Sequence, residues 1–272
     1  MLDFSKDLKI AYCCPSYRRP FCRTARYIKE TNIYIDASEK EVYEEDNKGY
    51  GNIIVCDDGI QGNLPRVRNY MLDKEFENGA DIVVMMDDDV EHLGWFSVDE
   101  NSSYGYVKHK IRPKDVNDFI LYGSVLCEEW GFGMWGCNHT SDPMMYRHHS
   151  PFSTHSGCVG QFMVFTKNDL RFDETLPLKE DYDMNIQQNN KYRGVLMLNF
   201  AFVKGDFGKL SGGTAIRRNS KRELDQFVLF KKKWGSDIVT GANVKQGNQR
   251  GGNKKETYDF SHPNVKIPIK GI

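Results

Sequence analysis

Three consecutive aspartates, Asp87, Asp88 and Asp89, follow directly on an apolar run over residues 82–86 of this 272-residue chain. Like charges side by side repel and raise one another's pKa unless a cation sits between them. In an extended chain neighbouring side chains face opposite ways, so Asp87 and Asp89 share one side and Asp88 takes the other. A hard divalent cation with oxygen ligands, Mn2+ or Mg2+, suits such a pair. A solvated acidic turn after a core strand is the plain alternative. A second acidic tip, Asp57-Asp58-Gly59, ends the apolar run 52–56, and it is either a partner of the first or a simple turn. A third group, Glu180-Asp181-Tyr182-Asp183, opens an expected helix running through residue 188. It could hold a general base, or it could merely complement a helix N-terminus, which favours carboxylates. Residues two apart on a helix diverge, so Asp181 and Asp183 cannot both face one pocket.

Cations and glycines form a second set. Arg66 and Arg68 lie on one expected helix without facing the same way, and each is either a phosphate partner or an ordinary paired arginine. The loop Gly205-Asp206-Phe207-Gly208-Lys209-Leu210-Ser211-Gly212-Gly213-Thr214 can offer backbone N–H groups to phosphates, with Lys209 or Arg217 closing the charge. It fits no Walker pattern. His139, His148, His149 and His155 lie near Cys137 and Cys158, but their spacing matches no paired zinc template. Lining a ring-binding site beside Trp130, Trp135 and Phe152 suits them better. Arg217, Arg218, Lys221, Arg222 and Lys231-Lys232-Lys233 make the last third locally basic, either a phosphate-neutralising patch or a solvated face.

The elements that must position these groups alternate. Residues 8–14 read as a first strand broken by Pro15, 21–30 as a helix, 33–35 as a short strand and 52–56 as another. Residues 64–78 read as a helix, with Pro65 suited to its first turn and Gly79 to its stop. This strand–helix alternation predicts an α/β fold with a mostly parallel sheet flanked by helices, whose strand tips converge on one crevice. Residues 104–114 suit a hairpin or loop, 116–126 a helix, and 128–155 a long irregular lining segment. Strands are expected at 159–166 and 194–203, and an amphipathic helix at 224–230. The polar, glycine-rich run after Thr240 reads as mobile when free.

The strand leading into Pro15-Ser16-Tyr17-Arg18-Arg19-Pro20, the Asp57-Asp58-Gly59 tip, Arg66-Val67-Arg68-Asn69 and the aspartate triplet together resemble a nucleotide-sugar glycosyltransferase of the GT-A (Rossmann-like) fold. The resemblance spans roughly residues 8–215, and Glu180-Asp181 is similar to that family's acceptor-activating motif. In detail the chain resembles phage-type and TET/JBP-associated DNA-base glycosyltransferases, which modify hydroxymethylated pyrimidines. The resemblance implies a UDP-sugar donor, Mn2+ or Mg2+, and DNA carrying a hydroxymethylated base such as 5-hydroxymethylcytosine.

It also implies roles, residue by residue. Pro15, Ser16, Tyr17 and Arg18 sit where the nucleotide base should lie, and Asp57 or Asp58 could accept from the uracil N–H. Arg68, Lys209, Gly212 and Gly213 belong to the diphosphate side. Asp89 is the direct metal ligand with Asp87 as companion, Asp87 and Asp88 also serve the nucleotide, and Asp206 could complete the shell. Many relatives use a histidine in that last role, and this chain has none between His155 and His262. Asp181 is the base, with Asp183 second and Glu180 in support. On this reading residues 1–215 carry both substrates and residues 216–272 form a basic, helical and flexible extension of the same domain. Rival readings are the same chemistry on a glycan, protein or lipid, a nucleotidyltransferase, and a non-catalytic nucleic-acid-binding domain.

Composition sets outer bounds. Net charge is −1, apolar residues make up 39% and aromatics 12%, which fits a globular chain and not a disordered one. The first residues lack a hydrophobic signal core and no run approaches a membrane span. Seven cysteines, several in expected core strands, point to free thiols in a reducing compartment and so to a soluble protein of the cytoplasm, the host's if the chain is phage-encoded.

Overall fold

The computed structural model describes residues 2, 6–146, 148–155, 157–158, 160–166, 168–206, 213, 218–246 and 256–266. Four strands, β1 (Ile10–Pro15), β2 (Asn32–Ile35), β3 (Asn52–Val55) and β4 (Ile82–Met86), run parallel in the order β3-β2-β1-β4. Beyond β4 the sheet continues through β9 (Phe162–Thr166), β7 (Met134–Asn138), β10 (Leu196–Gly205), β5 (Val90–Val98) and β6 (Tyr106–Lys110), with β8 (Phe152–Ser153) beside β10. Strands β5, β8 and β9 oppose the common direction of the others. The fold is thus the expected α/β type, a mostly parallel mixed sheet flanked by helices.

Strand β4 is buried along its whole length because both sheet faces are covered. Ile82, Val84 and Met86 face α4 (Val116–Glu129). Val83 and Met85 face Val67, Met71, Leu72 and Phe76 of α3 (Leu64–Glu77). Helix α3 starts where Asn63 accepts a hydrogen bond from the Arg66 N–H (3.3 Å), and Gly79 at φ +85° carries the chain out after it. On the same face lies Met184 of α5 (Glu180–Tyr192).

The carboxyl edge of the parallel strands gathers the chemistry. Strands β1 and β4 end there at Pro15 and Met86, β10 ends there at Gly205, and antiparallel β9 begins there. The short α1 (Arg23–Tyr27) locks the aspartate turn to this edge. The Arg23 N–H donates to the Asp88 carbonyl (2.9 Å), and Thr24 Oγ1 donates to the Asp87 carbonyl while accepting from the Val90 N–H (3.1 Å). The triplet is therefore the tight link between β4 and β5, and not the start of a loop.

Two expectations need correction. Residues 128–155 are not one irregular segment: α4 runs to Glu129 and β7 is a core strand. Trp135 is fully buried with its Nε1 donating to Ser124 Oγ (3.0 Å), so it lines no site. The run after Thr240 is also not loose throughout. β11 (Val239–Gln246) pairs with β12 (Glu256–Val265), and the intervening residues lie outside the described part. This hairpin and α6 (Ser220–Trp234) pack on α5 through Phe227, Phe230, Val239 and Ile186.

Candidate active site

An open cleft of about 410 Å3 lies along the carboxyl edge of the sheet. On its sheet side are Asp87, Asp88 and Asp89. Pro15, Ser16 and Tyr17 flank them from the end of β1, and Glu180 and Asp181 stand at the start of α5. Three separated acidic and polar segments of the sequence therefore meet around one space. The side chains differ in how they are held.

Asp88 is buried and fully engaged: Ser16 Oγ donates to Oδ2 (2.6 Å) and Arg19 Nη1 to Oδ1 (2.9 Å). It is an anchor for the β1 tip, and burial raises its pKa. Asp89 is also buried. Its Oδ2 is 3.6 Å from Arg19 Nη1, while Oδ1 is buried with no hydrogen-bond partner. Burial pushes Asp89 up to about 6, with Asp88 adding and Arg19 opposing. Asp87 is less enclosed, with its side chain 34% exposed and Oδ1 3.6 Å from Arg68. Desolvation lifts it to about 7 against the pull of Arg68, and Asp89 and Asp88 add to the lift.

An orphaned buried carboxylate oxygen beside two others is the arrangement a hard cation satisfies. Among the described residues no three acidic, histidine or cysteine side chains converge into a protein-only metal cage. Cations of the Mg2+ type are commonly held by one or two carboxylates plus substrate phosphates, so Asp89 and Asp87 fit that mode. Asp206 fits it less well. Its N–H donates to the Asp89 carbonyl (3.4 Å), but its carboxylate pairs with Arg23 Nη1 at 2.6 Å and does not line the cleft.

Arg68 is buried between the two acidic groups. Nη1 donates to Glu180 Oε1 (3.1 Å) and Nη2 to the Gly160 carbonyl (3.0 Å). It joins the triplet to α5, a role closer to a strut than to a free phosphate clamp. Gly160 admits it because a Cβ there would stand 2.8 Å from Nη2. Glu180 is buried and pushed up to about 7, with Asp181 adding and Arg68 opposing. Asp181 is half-buried and held by two backbone donors: Gly160 N–H to Oδ2 (3.3 Å) and Tyr182 N–H to Oδ1 (2.8 Å).

Several expected residues lie elsewhere. Asp183 is fully buried, accepting from Trp234 Nε1 (2.7 Å) and Gln187 Nε2 (2.7 Å) beside Lys233, and it lines no part of the cleft. Asp57 and Asp58 are exposed on the turn after β3 and do not line it either. Arg18 is exposed at φ +57°, its N–H donating to Glu39. Gly213 lines the cleft and its N–H donates to the Tyr17 carbonyl (2.9 Å). Lys209 and Gly212 lie outside the described residues.

Arg19, Gln61, Asn63, Gln161 and Arg218 also line the cleft, where sequence reasoning gave none of them a role and placed Arg218 only in the basic patch. The paired arginines after Ser16-Tyr17 were a usable signal for Arg19. Gln61 and Asn63 had only their place just before α3. Arg66, on the other face of α3, pairs with Glu174 (2.8 Å) and borders a side pocket shared with Arg222. The histidines and cysteines form no metal group among the described residues, and all seven cysteines are buried free thiols. No described helix is long and apolar enough to cross a membrane.

No family model and no curated protein sequence matches the chain. Among solved structures it is similar to a mycobacterial protein at 9% identity and TM-score 0.48, covering 92% of this chain and 83% of that one. It is also similar to glucosyl-3-phosphoglycerate synthase from Mycobacterium tuberculosis, solved with Mn2+, UDP-glucose and phosphoglyceric acid. That match has 10% identity and TM-score 0.47, covering 88% of this chain and 84% of that one. Likeness this remote assigns no residue its role.

Proposed function

We propose that the chain is a metal-dependent, inverting glycosyltransferase of the GT-A type that moves a sugar from a UDP-sugar to a hydroxymethylated pyrimidine in DNA. One observation carries the transferase reading: the aspartate triplet and Asp181 border the same cleft from opposite elements, β4 and α5. The resemblance of the motifs named above supports the donor and the DNA acceptor, and exposed Lys221 and Lys232 on α6 are compatible with phosphate contacts.

Asp89 and Asp87 would hold Mn2+ or Mg2+, which when bound supplies positive charge against a diphosphate leaving group. Arg19 and Arg218 line the same cleft and add fixed cationic charge there. Ser16, Tyr17, Gln61 and Asn63 offer the nucleotide a polar and aromatic bed. Asp181 accepts the proton of the acceptor hydroxyl as its oxygen bonds to the anomeric carbon and the bond from that carbon to the diphosphate oxygen breaks. UDP departs, the proton stays on Asp181, and the anomeric centre inverts. Arg68 and the Gly160 and Tyr182 N–H groups keep the carboxylates in place without donating that proton. Residues 1–215 carry most of both substrate sites in this scheme, and residues 216–272 complete the same domain and add Arg218 to the cleft.

The test is UDP release with Mn2+, a panel of UDP-sugars, and DNA with or without 5-hydroxymethylcytosine. Release that depends on the modified base is the expected result. No release with any modified DNA sinks the DNA acceptor, and sugar 1-phosphate released in place of UDP would indicate nucleotidyl transfer.

A further inference from the structure

Asp181 lines a second pocket as well as the cleft just described. This pocket, of about 370 Å3, lies within the roughly 300–1,000 Å3 range of small-molecule sites. One wall is the first two turns of α5, with Tyr182 and Ile186 beside Asp181. The second wall is the segment around His155, and the third is the end of β12, with Asn264 and Val265. A strand from the far carboxyl end of the chain thus closes a space that opens onto the proposed base.

The charge of this lining is one-sided. Among the described residues it contains no lysine or arginine, and its one carboxylate is Asp181. The positive end of α5 gives no compensation, because Glu180, Asp181 and Asp183 already occupy its first turn. The nearest preceding cation, Lys179, is fully buried and paired with Glu223. A phosphate or carboxylate entering here would lose its hydration and meet only a like charge. A neutral ring would instead find apolar contact on Ile186 and Val265, an aromatic side chain in Tyr182, and polar groups in His155 and Asn264. His155 is held by Thr154, whose Oγ1 lies 2.8 Å from its Nδ1.

We infer that this pocket receives the reacting part of the acceptor as an uncharged, hydroxyl-bearing ring of nucleobase or monosaccharide size, such as a base turned out of DNA with its phosphates left outside, that it excludes acceptors whose phosphate or carboxylate must enter with the hydroxyl, and that the end of β12 selects among neutral ones. The inference rests on the glycosyltransferase reading and narrows it.

The experiment uses the full chain with Mn2+ and measures UDP release from UDP-sugars first without acceptor, then with three additions. These are 5-hydroxymethyl-2′-deoxycytidine, a neutral methyl glycoside, and 3-phosphoglycerate. Stimulation of at least about tenfold by a neutral compound, with none by 3-phosphoglycerate, is expected; which neutral compound acts separates base from sugar. Asn264 is exposed, so Asn264→Trp should fold, and it should raise the acceptor KM at least about tenfold more than the donor KM. Asn264→Lys should bring in measurable stimulation by 3-phosphoglycerate. Equal or greater stimulation of the native chain by 3-phosphoglycerate overturns the inference. So does stimulation by no neutral compound while acceptor-free UDP release persists, or an acceptor KM unmoved by Asn264→Trp. Absence of UDP release under every condition, DNA carrying 5-hydroxymethylcytosine included, instead overturns the glycosyltransferase reading beneath it.

Discussion

Asp181 and Asp183 sit two positions apart at the start of α5, and helical geometry sends them to different surroundings. Asp181 faces both pockets with two backbone donors behind it, whereas Asp183 is enclosed by Trp234, Gln187 and Lys233. The pair is therefore a built-in control. Asp181→Asn should cut kcat by about 10²–10⁴-fold with the donor KM little changed, as loss of a general base does. Asp183→Ala should instead lower stability by about 1–3 kcal/mol, by stranding the Trp234 N–H, and leave turnover per folded molecule within a few-fold. Urea melts and steady-state kinetics on both variants check this, and the reverse pattern would make Asp183 the base. The triplet gives a pH prediction. Asp87 and Glu180 are held near 7 and Asp89 near 6, above ordinary carboxylate values. The metal-free fold therefore binds more protons than the unfolded chain between about pH 4 and 7, and its stability falls as pH rises across that window. Mn2+ should counter the fall by binding the ionised forms. Tm measured from pH 5 to 7.5 should drop in EDTA and drop less in Mn2+; parallel curves would contradict the assignment.

Elements that carry their signal in a continuous apolar run were legible, β4 above all, and so was α3, with Pro65 in its first turn and Gly79 after it. Strand β5 was not, because His92, Gly94 and Ser97 interrupt its apolar residues and only its pairing with β10 and β6 makes it a strand. Its glycine is demanded by packing. A Cβ on Gly94 would lie 2.3 Å from Phe202 Cζ and 2.6 Å from the His109 carbonyl. Gly94→Ala should accordingly destabilise by about 1–3 kcal/mol, a typical overpacking penalty, seen as a lowered urea midpoint at constant m-value. At the β1 tip the legible motif pointed at the wrong arginine. The left-handed backbone at Arg18 (φ +57°) reverses the local course, so Arg19 reaches Asp88 and Asp89 while Arg18 stacks on Tyr17 in solvent. Single-residue backbone conformation of this kind leaves no mark in composition or periodicity.

Across the whole molecule the two halves of the cleft come from segments about ninety residues apart along the chain, Asp89 and Glu180 marking the gap. Residues 10–89 build the parallel strands and the acidic turn, and α5 brings Asp181 back to the same edge, tied by Arg68 to Glu180 and Asp87. The carboxyl end then covers α5 through Phe227, Phe230 and Val239, and its last strand walls the second pocket. That hairpin was illegible because its sequence is polar and glycine-rich, and the few apolar residues that seat it make sense only against α5. The carboxylate geometry makes one linkage central: the aspartate triplet should bind a divalent cation and a nucleoside diphosphate together. Calorimetric titration of UDP into the full chain, in Mn2+ and in EDTA, measures that linkage directly. UDP should bind at least about tenfold more tightly in Mn2+, with the gain lost in Asp89→Ala. Equal UDP affinity in Mn2+ and EDTA, or an Mn2+ effect undiminished in Asp89→Ala, would contradict it.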